Sequence, residues 1–115
     1  MCGIAGFIDF NNASSKDILK DCTDVLAHRG PDGGGYELFQ YDHCQVGLGH
    51  RRLSIIDLSD AASQPMWYKH FCLIFNGEMY NYAEVKATLE KLGHSFKTHS
   101  DTEVLLHAWE QWGTE

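Results

Sequence analysis

Residues 49–57 read Gly-His-Arg-Arg-Leu-Ser-Ile-Ile-Asp, and this stretch completes an apolar run that predicts a strand over residues 45–56. Side chains alternate between the two faces of a strand, so we expect Arg52 and Ser54 on one face and Arg51 and Leu53 on the other. A guanidinium beside a buried strand needs an anionic partner. A ligand carboxylate and a protein carboxylate suit its planar fork equally well.

The elements around this strand predict a mixed fold. Further strands are expected at residues 4–9, 36–41, 72–75 and 94–98. Capping sequences at residues 14–17 and 100–103 begin the first and third helices, and a second helix begins near Asn81. The first helix is expected to run to about His28, whereas Gly93 and Gly113 end the other two. Because strands and helices do not alternate regularly, an α+β fold is favoured, with helices stacked on sheet faces.

Two of these helices have a predicted buried face. The second is expected to bury Val85, Leu89 and Leu92. The third is expected to bury Val104, Leu105, Ala108, Trp109 and Trp112. Both assignments rest on apolar residues that recur at helical spacing.

Length and composition limit the function classes. A chain of 115 residues is one domain at most, and 43% hydrophobic residues exclude a disordered segment. No apolar run approaches the ~20 residues of a membrane span, and no basic residue precedes an apolar run at the start. We therefore expect a cytoplasmic protein without a membrane segment. A net charge of −7 without a basic stripe argues against nucleic-acid binding.

The cysteines and histidines predict no metal site. The four cysteines are Cys2, Cys22, Cys44 and Cys72, and none forms a C-x-x-C pair that would indicate a zinc knuckle. The histidines share no metal-ligand spacing. We expect Cys22, Cys44 and Cys72 to be small buried residues.

Cys2 is a candidate nucleophile because of its position. If Met1 is removed, Cys2 carries the free α-amine, and such amines have an unperturbed pKa of about 7.7–8.0. One residue would then supply both the nucleophile and its base. Position alone leaves the alternative, an incidental second-position cysteine, as the stronger one.

Three other segments carry candidate site residues. Asn76 and Gly77 follow a predicted strand, where an amide NH₂ and a backbone N–H could both point at an oxyanion, although Asn-Gly is also a common turn dipeptide. Asp101 could stabilise a helix N-terminus through its negative charge, or it could bind a ligand ammonium group. Glu78 could bind such an ammonium group as well. The segment at residues 28–33 has a turn signature, and loop shaping is the favoured role for it.

The order of these motifs resembles the glutamine-hydrolysing asparagine synthetases. The matching segments are Met-Cys-Gly-Ile-Ala-Gly at 1–6, His-Arg-Gly-Pro-Asp-Gly at 28–33, the stretch at 49–57, Gln-Pro-Met at 64–66, Phe-Asn-Gly-Glu-Met-Tyr-Asn at 75–81 and Ser-Asp-Thr-Glu at 100–103. The resemblance spans residue 2 to about residue 113. Related class II amidotransferases share Cys2, the Asn-Gly pair and the Asp of the last motif, Asp101. They are not expected to carry the Arg-Gly-Pro-Asp-Gly segment.

The resemblance implies an N-terminal nucleophile hydrolase fold, a four-layer αββα sandwich, and a role for each site residue. Cys2 would attack the side-chain amide of glutamine, and Asn76 with the Gly77 amide would form the oxyanion hole. Arg52 would bind the substrate α-carboxylate, and Glu78 and Asp101 its α-ammonium. The substrate slot would be lined by the backbone of Leu53, Ser54, Ile55 and Ile56. Ammonia would leave first, and water would then hydrolyse the glutamyl thioester.

The resemblance also implies a partner. In the family, ammonia travels to a synthetase domain that uses ATP and Mg²⁺ to form asparagine from aspartate; no cofactor is expected in residues 1–115. We expect these residues to be the front part of a longer glutaminase domain. Uncovered sheet faces would then favour self-association or a partner chain. The alternatives are a catalytically inactive truncated homologue that binds glutamine or a partner, and a subunit completed by a separate chain.

Overall fold

The computed structural model describes residues 2–53 and 63–114. The elements are β1 (Gly3–Asp9), α1 (Lys16–Asp24), β2 (Gly33–Gln40), β3 (Gln45–Arg52), β4 (Met66–Tyr68), β5 (Phe71–Leu73), α2 (Tyr82–Lys91) and α3 (Asp101–Trp112). The predicted mixture of helices and strands is confirmed, and the sheets are antiparallel. The expected extension of β3 to residue 56 lies outside the described residues. In the part of the chain that is described, no helix is long and apolar enough to cross a membrane.

The three-stranded sheet has the order β1-β3-β2. Strand β3 is central, and it pairs with β1 from Gly3 opposite Arg51 to Asp9 opposite Gln45. It pairs with β2 in the same antiparallel sense, with Gln40 also opposite Gln45. The strand that the sequence predicted over residues 45–56 is therefore the one with two neighbours in the sheet.

Helix α1 packs on one face of this sheet. Ser15 caps the helix by accepting a hydrogen bond from the Ile18 N–H. Gly49 in β3 lets the helix approach, because a Cβ there would lie 2.0 Å from the Thr23 hydroxyl oxygen. The helix ends at Asp24 and not near His28 as predicted. The next residues form tight turns in which the N–H groups of Leu26, Ala27 and Arg29 donate to the carbonyls three residues earlier.

The opposite face of the three-stranded sheet meets the two-stranded sheet, β4 with β5. The Phe39 and Trp67 rings lie 5.5 Å apart. Helix α3 packs against β4 and β5. The apolar cluster between them is formed by buried Met66 and Leu106 with Tyr68, Phe71 and Leu73. Strand β4 had no signal in the sequence pattern, because three residues are too few to show an alternation.

The predicted strand at residues 94–98 is absent. The backbone N–H groups of Lys97 and Thr98 donate to the Glu103 carboxylate, and not to a neighbouring strand. This arrangement draws Glu103 inward, so α3 buries Glu103 and His107 beside its aliphatic residues. Trp109 and Trp112, which were expected to be buried, are 48% and 43% exposed.

The ends of α2 and α3 are as predicted. Gly93 and Gly113 have φ values of 99° and 66° after their helices. Within α2, Leu89 is fully buried, but the prediction for Leu92 is wrong, because that side chain is 53% exposed. Leu92 is the C-cap residue, one position beyond the last residue of α2.

One apolar face of β1 predicts self-association. Ile4 and Ile8 lie on the face of β1 opposite α1, and their side chains are 46% and 59% exposed. Within the described residues β1 is also an edge strand, and such edges invite pairing. We expect molar mass to rise with concentration in analytical ultracentrifugation. Burial of one Ile stabilises by roughly 1.5–3 kcal/mol, so Ile8→Lys should weaken association about tenfold or more.

Val25→Lys is the matched control for that experiment. Val25 is 70% exposed immediately after α1, on the other side of the sheet. The Val25→Lys variant should leave the association constant of the protein unchanged. A strictly monomeric wild-type protein over the same concentrations would show that the β1 face needs no cover.

Candidate active site

Cys2 lies beside Leu53. The register places Gly3 opposite Arg51, so Cys2 follows at the same end of the sheet as Arg52, and Leu53 is the residue after Arg52. The Leu53 N–H donates to the Cys2 sulfur at 3.3 Å, and the thiol donates to the Leu53 carbonyl at 3.6 Å. The predicted nucleophile and the first residue of the predicted substrate slot are therefore neighbours. The side chain of Cys2 is half-buried.

The two arginines of β3 face opposite sides of the sheet, which confirms the predicted alternation. Arg51 points towards α1, where its Nε donates to the Gly30 carbonyl at 3.0 Å and its Nη1 lies 3.7 Å from the Asp24 carboxylate. Arg52 is buried on the other face, where its Nη1 donates to the Ser63 hydroxyl at 3.3 Å. Arg51 thus holds the helical side of the sheet, and Arg52 is the arginine on the side of the candidate site.

The segment at residues 28–33 supports the backbone of these arginines. The Asp32 N–H donates to the Arg52 carbonyl at 2.9 Å, and Pro31 forms a bridge with Arg52. The Arg29 side chain donates to the Cys2 carbonyl at 3.4 Å. These contacts fit the loop-shaping role favoured by its turn signature.

The candidate oxyanion loop, residues 76–78, is open to solvent but held at both ends. Asn76, Gly77 and Glu78 are all exposed. After the loop, the Met79 N–H donates to the buried Asp101 carboxylate at 3.0 Å. Before it, the Phe75 N–H donates to the Gln64 side-chain oxygen at 2.5 Å. The loop can therefore meet a ligand without losing its attachment to the fold.

The candidate residues form two groups. Cys2, Arg52 and Leu53 lie at one end of the three-stranded sheet, and the loop at residues 76–78 is tied to Asp101 on α3. Among residues 2–53 and 63–114, no hydrogen bond or ion pair recorded for Cys2 reaches the loop. The remaining candidates, Ser54, Ile55 and Ile56, lie outside the described residues. No group of side chains suited to a metal ion occurs in the described part of the chain.

His50 lies between the two groups. It is 1% exposed, and within residues 2–53 and 63–114 neither of its ring nitrogens makes a hydrogen bond of good geometry, although the ring lies against the Phe75 backbone. Burial lowers the pKa of His50, and the positive charge of Arg52 adds to this effect, while the Phe75 backbone opposes it. His50 is therefore held neutral. The sequence pattern did not indicate that this particular histidine is buried.

The other cysteines differ in exposure and reactivity. Cys22, expected to be buried, is exposed on α1, while Cys44 and Cys72 are half-buried. Burial raises the pKa of the Cys72 thiol to about 11, with the charge of Glu37 adding to the effect. Cys72 is therefore a poor nucleophile near neutral pH.

The chain is similar over its whole length to one family of domains and to parts of several larger proteins. The family model of the glutamine amidotransferase domain matches residues 1–115. Asparagine synthetase [glutamine-hydrolyzing] 1 of Bacillus subtilis is 41% identical over 121 residues, which cover 100% of this chain and 18% of that protein. Putative asparagine synthetase [glutamine-hydrolyzing] 2 of Methanocaldococcus jannaschii is 35% identical over 98% of this chain and 24% of its own length.

A relative with a different name also matches. Amidase chry2 of Gibberella zeae is 36% identical over 98% of this chain and 18% of its own length. The chain thus spans between 18% and 24% of the length of these three relatives. The similarity therefore concerns one portion of larger proteins.

His50 predicts a loss of stability in acid. Because its pKa lies below the usual value, the unfolded chain gains a proton that the folded chain resists as pH falls below about 6.5. We expect the free energy of unfolding to fall between pH 7.5 and 5.5, and His50→Gln to reduce that fall. Denaturant titrations at several pH values measure both. His107, whose pKa burial also lowers, contributes equally to both proteins.

His43→Gln is the control for this measurement. His43 is exposed between β2 and β3, so its replacement should leave the pH dependence as in the wild type. If the free energy of unfolding of the His50→Gln protein has the same pH dependence as that of the wild type, His50 is not buried as a neutral ring.

Proposed function

The chain belongs to the glutamine amidotransferase domain family, and from this premise we propose that it hydrolyses glutamine to glutamate and ammonia with Cys2 as the nucleophile. The observation that carries the proposal is the contact between the Cys2 sulfur and the Leu53 backbone, at 3.3 Å from the amide nitrogen. It brings the only candidate nucleophile supported by the motif order to the end of β3, next to Arg52.

The proposed architecture is the four-layer αββα sandwich of N-terminal nucleophile hydrolases. Support comes from the sequence of contacts through the molecule. Helix α1 covers one face of the three-stranded sheet, the Phe39 and Trp67 rings join its other face to the two-stranded sheet, and α3 packs beyond β4 and β5.

The proposed reaction begins when the α-amine of Cys2, free after removal of Met1, accepts the thiol proton. The sulfur attacks the side-chain amide carbon of glutamine, and the carbonyl oxygen becomes an oxyanion. The Asn76 NH₂ and the Gly77 N–H donate to it, and each such donor contributes on the order of 10²–10³ in rate. Collapse of this intermediate breaks the C–N bond, and the departing nitrogen takes the proton and leaves as ammonia. Water then attacks the thioester, which releases glutamate and restores the thiol.

Substrate binding is assigned to the charged residues around the slot. Arg52 would bind the α-carboxylate through its two-pronged guanidinium. Glu78 and Asp101 would bind the α-ammonium. Because the Asp101 Oδ2 already accepts a hydrogen bond from Met79, the ligand would approach its other oxygen. The backbone of residues 53–56 would line the slot, as the family resemblance implies.

The proposed fate of the ammonia follows from the names of the relatives, several of which are asparagine synthetases. We expect a synthetase domain or chain to receive it and to form asparagine with ATP and Mg²⁺. Residues 1–115 would need no cofactor of their own, and a cytoplasmic protein is expected. The inactive-homologue alternative has no observation in its favour.

Labelling of Cys2 tests the nucleophile. A glutamine analogue with a diazoketone in place of the amide should alkylate Cys2 in protein from which Met1 has been removed, as read by peptide mass spectrometry. Cys2→Ser should abolish labelling and lower the glutaminase kcat at least about 10³-fold. Because Cys22 is exposed, a Cys22→Ser protein serves as the control and should behave as the wild type. Equal labelling at Cys22, Cys44 or Cys72 would exclude Cys2 as a selective nucleophile.

Exchange of the two arginines tests the substrate assignment. Arg52→Lys loses the planar fork, and the loss of one charged hydrogen bond of about 1.5–3 kcal/mol should raise the KM for glutamine roughly 10- to 100-fold. Arg51→Lys should change the KM less than about 3-fold. It should lower the melting temperature, because Arg51 holds Gly30 and Asp24. The reverse order of KM effects would show that the functional face of β3 has been assigned wrongly.

A further inference from the structure

Gln64 is a buried polar side chain that has no role in the proposed mechanism. It is 9% exposed, and both polar atoms of its amide are used. The oxygen accepts the Phe75 N–H at 2.5 Å, and the NH₂ donates to the Thr102 hydroxyl at 3.1 Å. The need for an acceptor at Phe75 fixes the orientation of the amide. Gln64 therefore joins the segment after β5 to the first turn of α3.

These bonds attach both ends of the candidate oxyanion loop to the same place. Phe75 directly precedes the loop at residues 76–78 and is tied through Gln64 to Thr102. Met79 directly follows the loop and is tied to Asp101. Asp101 and Thr102 are successive residues in the first turn of α3. Both ends of the exposed loop are therefore connected by hydrogen bonds to the first turn of α3, one end directly and the other through Gln64.

Gln64 is also fixed relative to the sheet that carries Cys2. The backbone carbonyl oxygen of Gln64 lies close to Gly35 in β2. A Cβ atom added at Gly35 would lie 2.2 Å from that oxygen. Gly35 pairs with His50 in β3, the strand that ends beside Cys2. A chain of contacts thus runs from the nucleophile's sheet through Gln64 to the loop.

We propose that Gln64 is a positioning residue that holds the Asn76 side chain and the Gly77 N–H where the oxyanion forms. The inference rests on the proposed function. A three-residue exposed loop that contains glycine would otherwise lose conformational entropy when it engages a ligand. Oxyanion donors contribute only when they are already held at the position of the developing charge. Gln64 supplies that order before substrate arrives.

The first test replaces Gln64 with a side chain of equal length that cannot form hydrogen bonds. Gln64→Met should lower the glutaminase kcat about 10- to 100-fold and change the KM less than about 3-fold, because the loss falls on the transition state. Independently of activity, the Phe75 amide should exchange its hydrogen at least about 10-fold faster in NMR or mass-spectrometric experiments. Gln40→Met, at the exposed far end of β2, should change neither quantity.

Two further variants separate positioning from a general loss of stability. Gln64→Glu keeps an oxygen for Phe75, and the Thr102 hydroxyl can turn to donate, so it should restore part of both the kcat and the amide protection. Thr102→Val cuts only the far end of the connection, and its effects should lie between those of the wild type and Gln64→Met. If Gln64→Glu is as slow and as unprotected as Gln64→Met, the hydrogen bonds are not what matters and the inference fails.

A double variant tests whether Gln64 acts through Asn76. Asn76→Ala removes one of the two oxyanion donors, so adding Gln64→Met should slow that protein by a smaller factor than it slows the wild type, because only the Gly77 N–H is left to be displaced. Fully additive losses would overturn the inference. The proposed function fails separately, if the wild-type protein does not hydrolyse glutamine or if Asn76→Ala has wild-type kcat. With Asn76→Ala slow, a Gln64→Met protein with wild-type kcat and wild-type Phe75 exchange would refute the role of Gln64 alone.

Discussion

The antiparallel pairing of β1 with β3 is the constraint on which the candidate site depends. It runs from Gly3 opposite Arg51 to Asp9 opposite Gln45, and its end brings Cys2 to Leu53 across 51 positions of sequence. A slip of one residue would move every side chain of β3 to the other face. Arg52 would then face α1, and Cys2 would lose its contact with Leu53. The close fit of α1 over Gly49 helps to exclude that slip, because any larger side chain there would collide with Thr23.

The two faces of the three-stranded sheet have different tasks as a result. On one face Arg51 joins the turn at Gly30 to Asp24 of α1, and these contacts serve the fold. On the other face lie Arg52 and His50, and this face meets the two-stranded sheet and the segment that leads to the oxyanion loop. Arg51 thus serves the fold, whereas Arg52 lies on the face to which the proposed function assigns substrate binding.

Buried polar side chains order the parts of the molecule that have no regular structure. Gln64 and Asp101 hold the two ends of the loop at residues 76–78, and Glu103 binds the backbone of Lys97 and Thr98. Burial raises the pKa of Glu103, but these hydrogen bonds outweigh burial and the net direction is downward. Each carboxylate is therefore buried as an acceptor for backbone N–H groups that no strand or helix satisfies.

Local rules in the sequence determined the three helices, the longer strands and the face alternation of β3, because capping residues, glycine stops and apolar spacing act over a few positions. Motif order likewise indicated Cys2, Arg52 and Asp101. Only the tertiary structure decided that α1 ends early, that residues 94–98 form no strand, and that Trp109 stays exposed. It also decided the position of Gln64, whose partners lie 11 and 38 residues away. Such contacts leave no periodic trace in a sequence, since they depend on where separate elements meet and not on what precedes them in the chain.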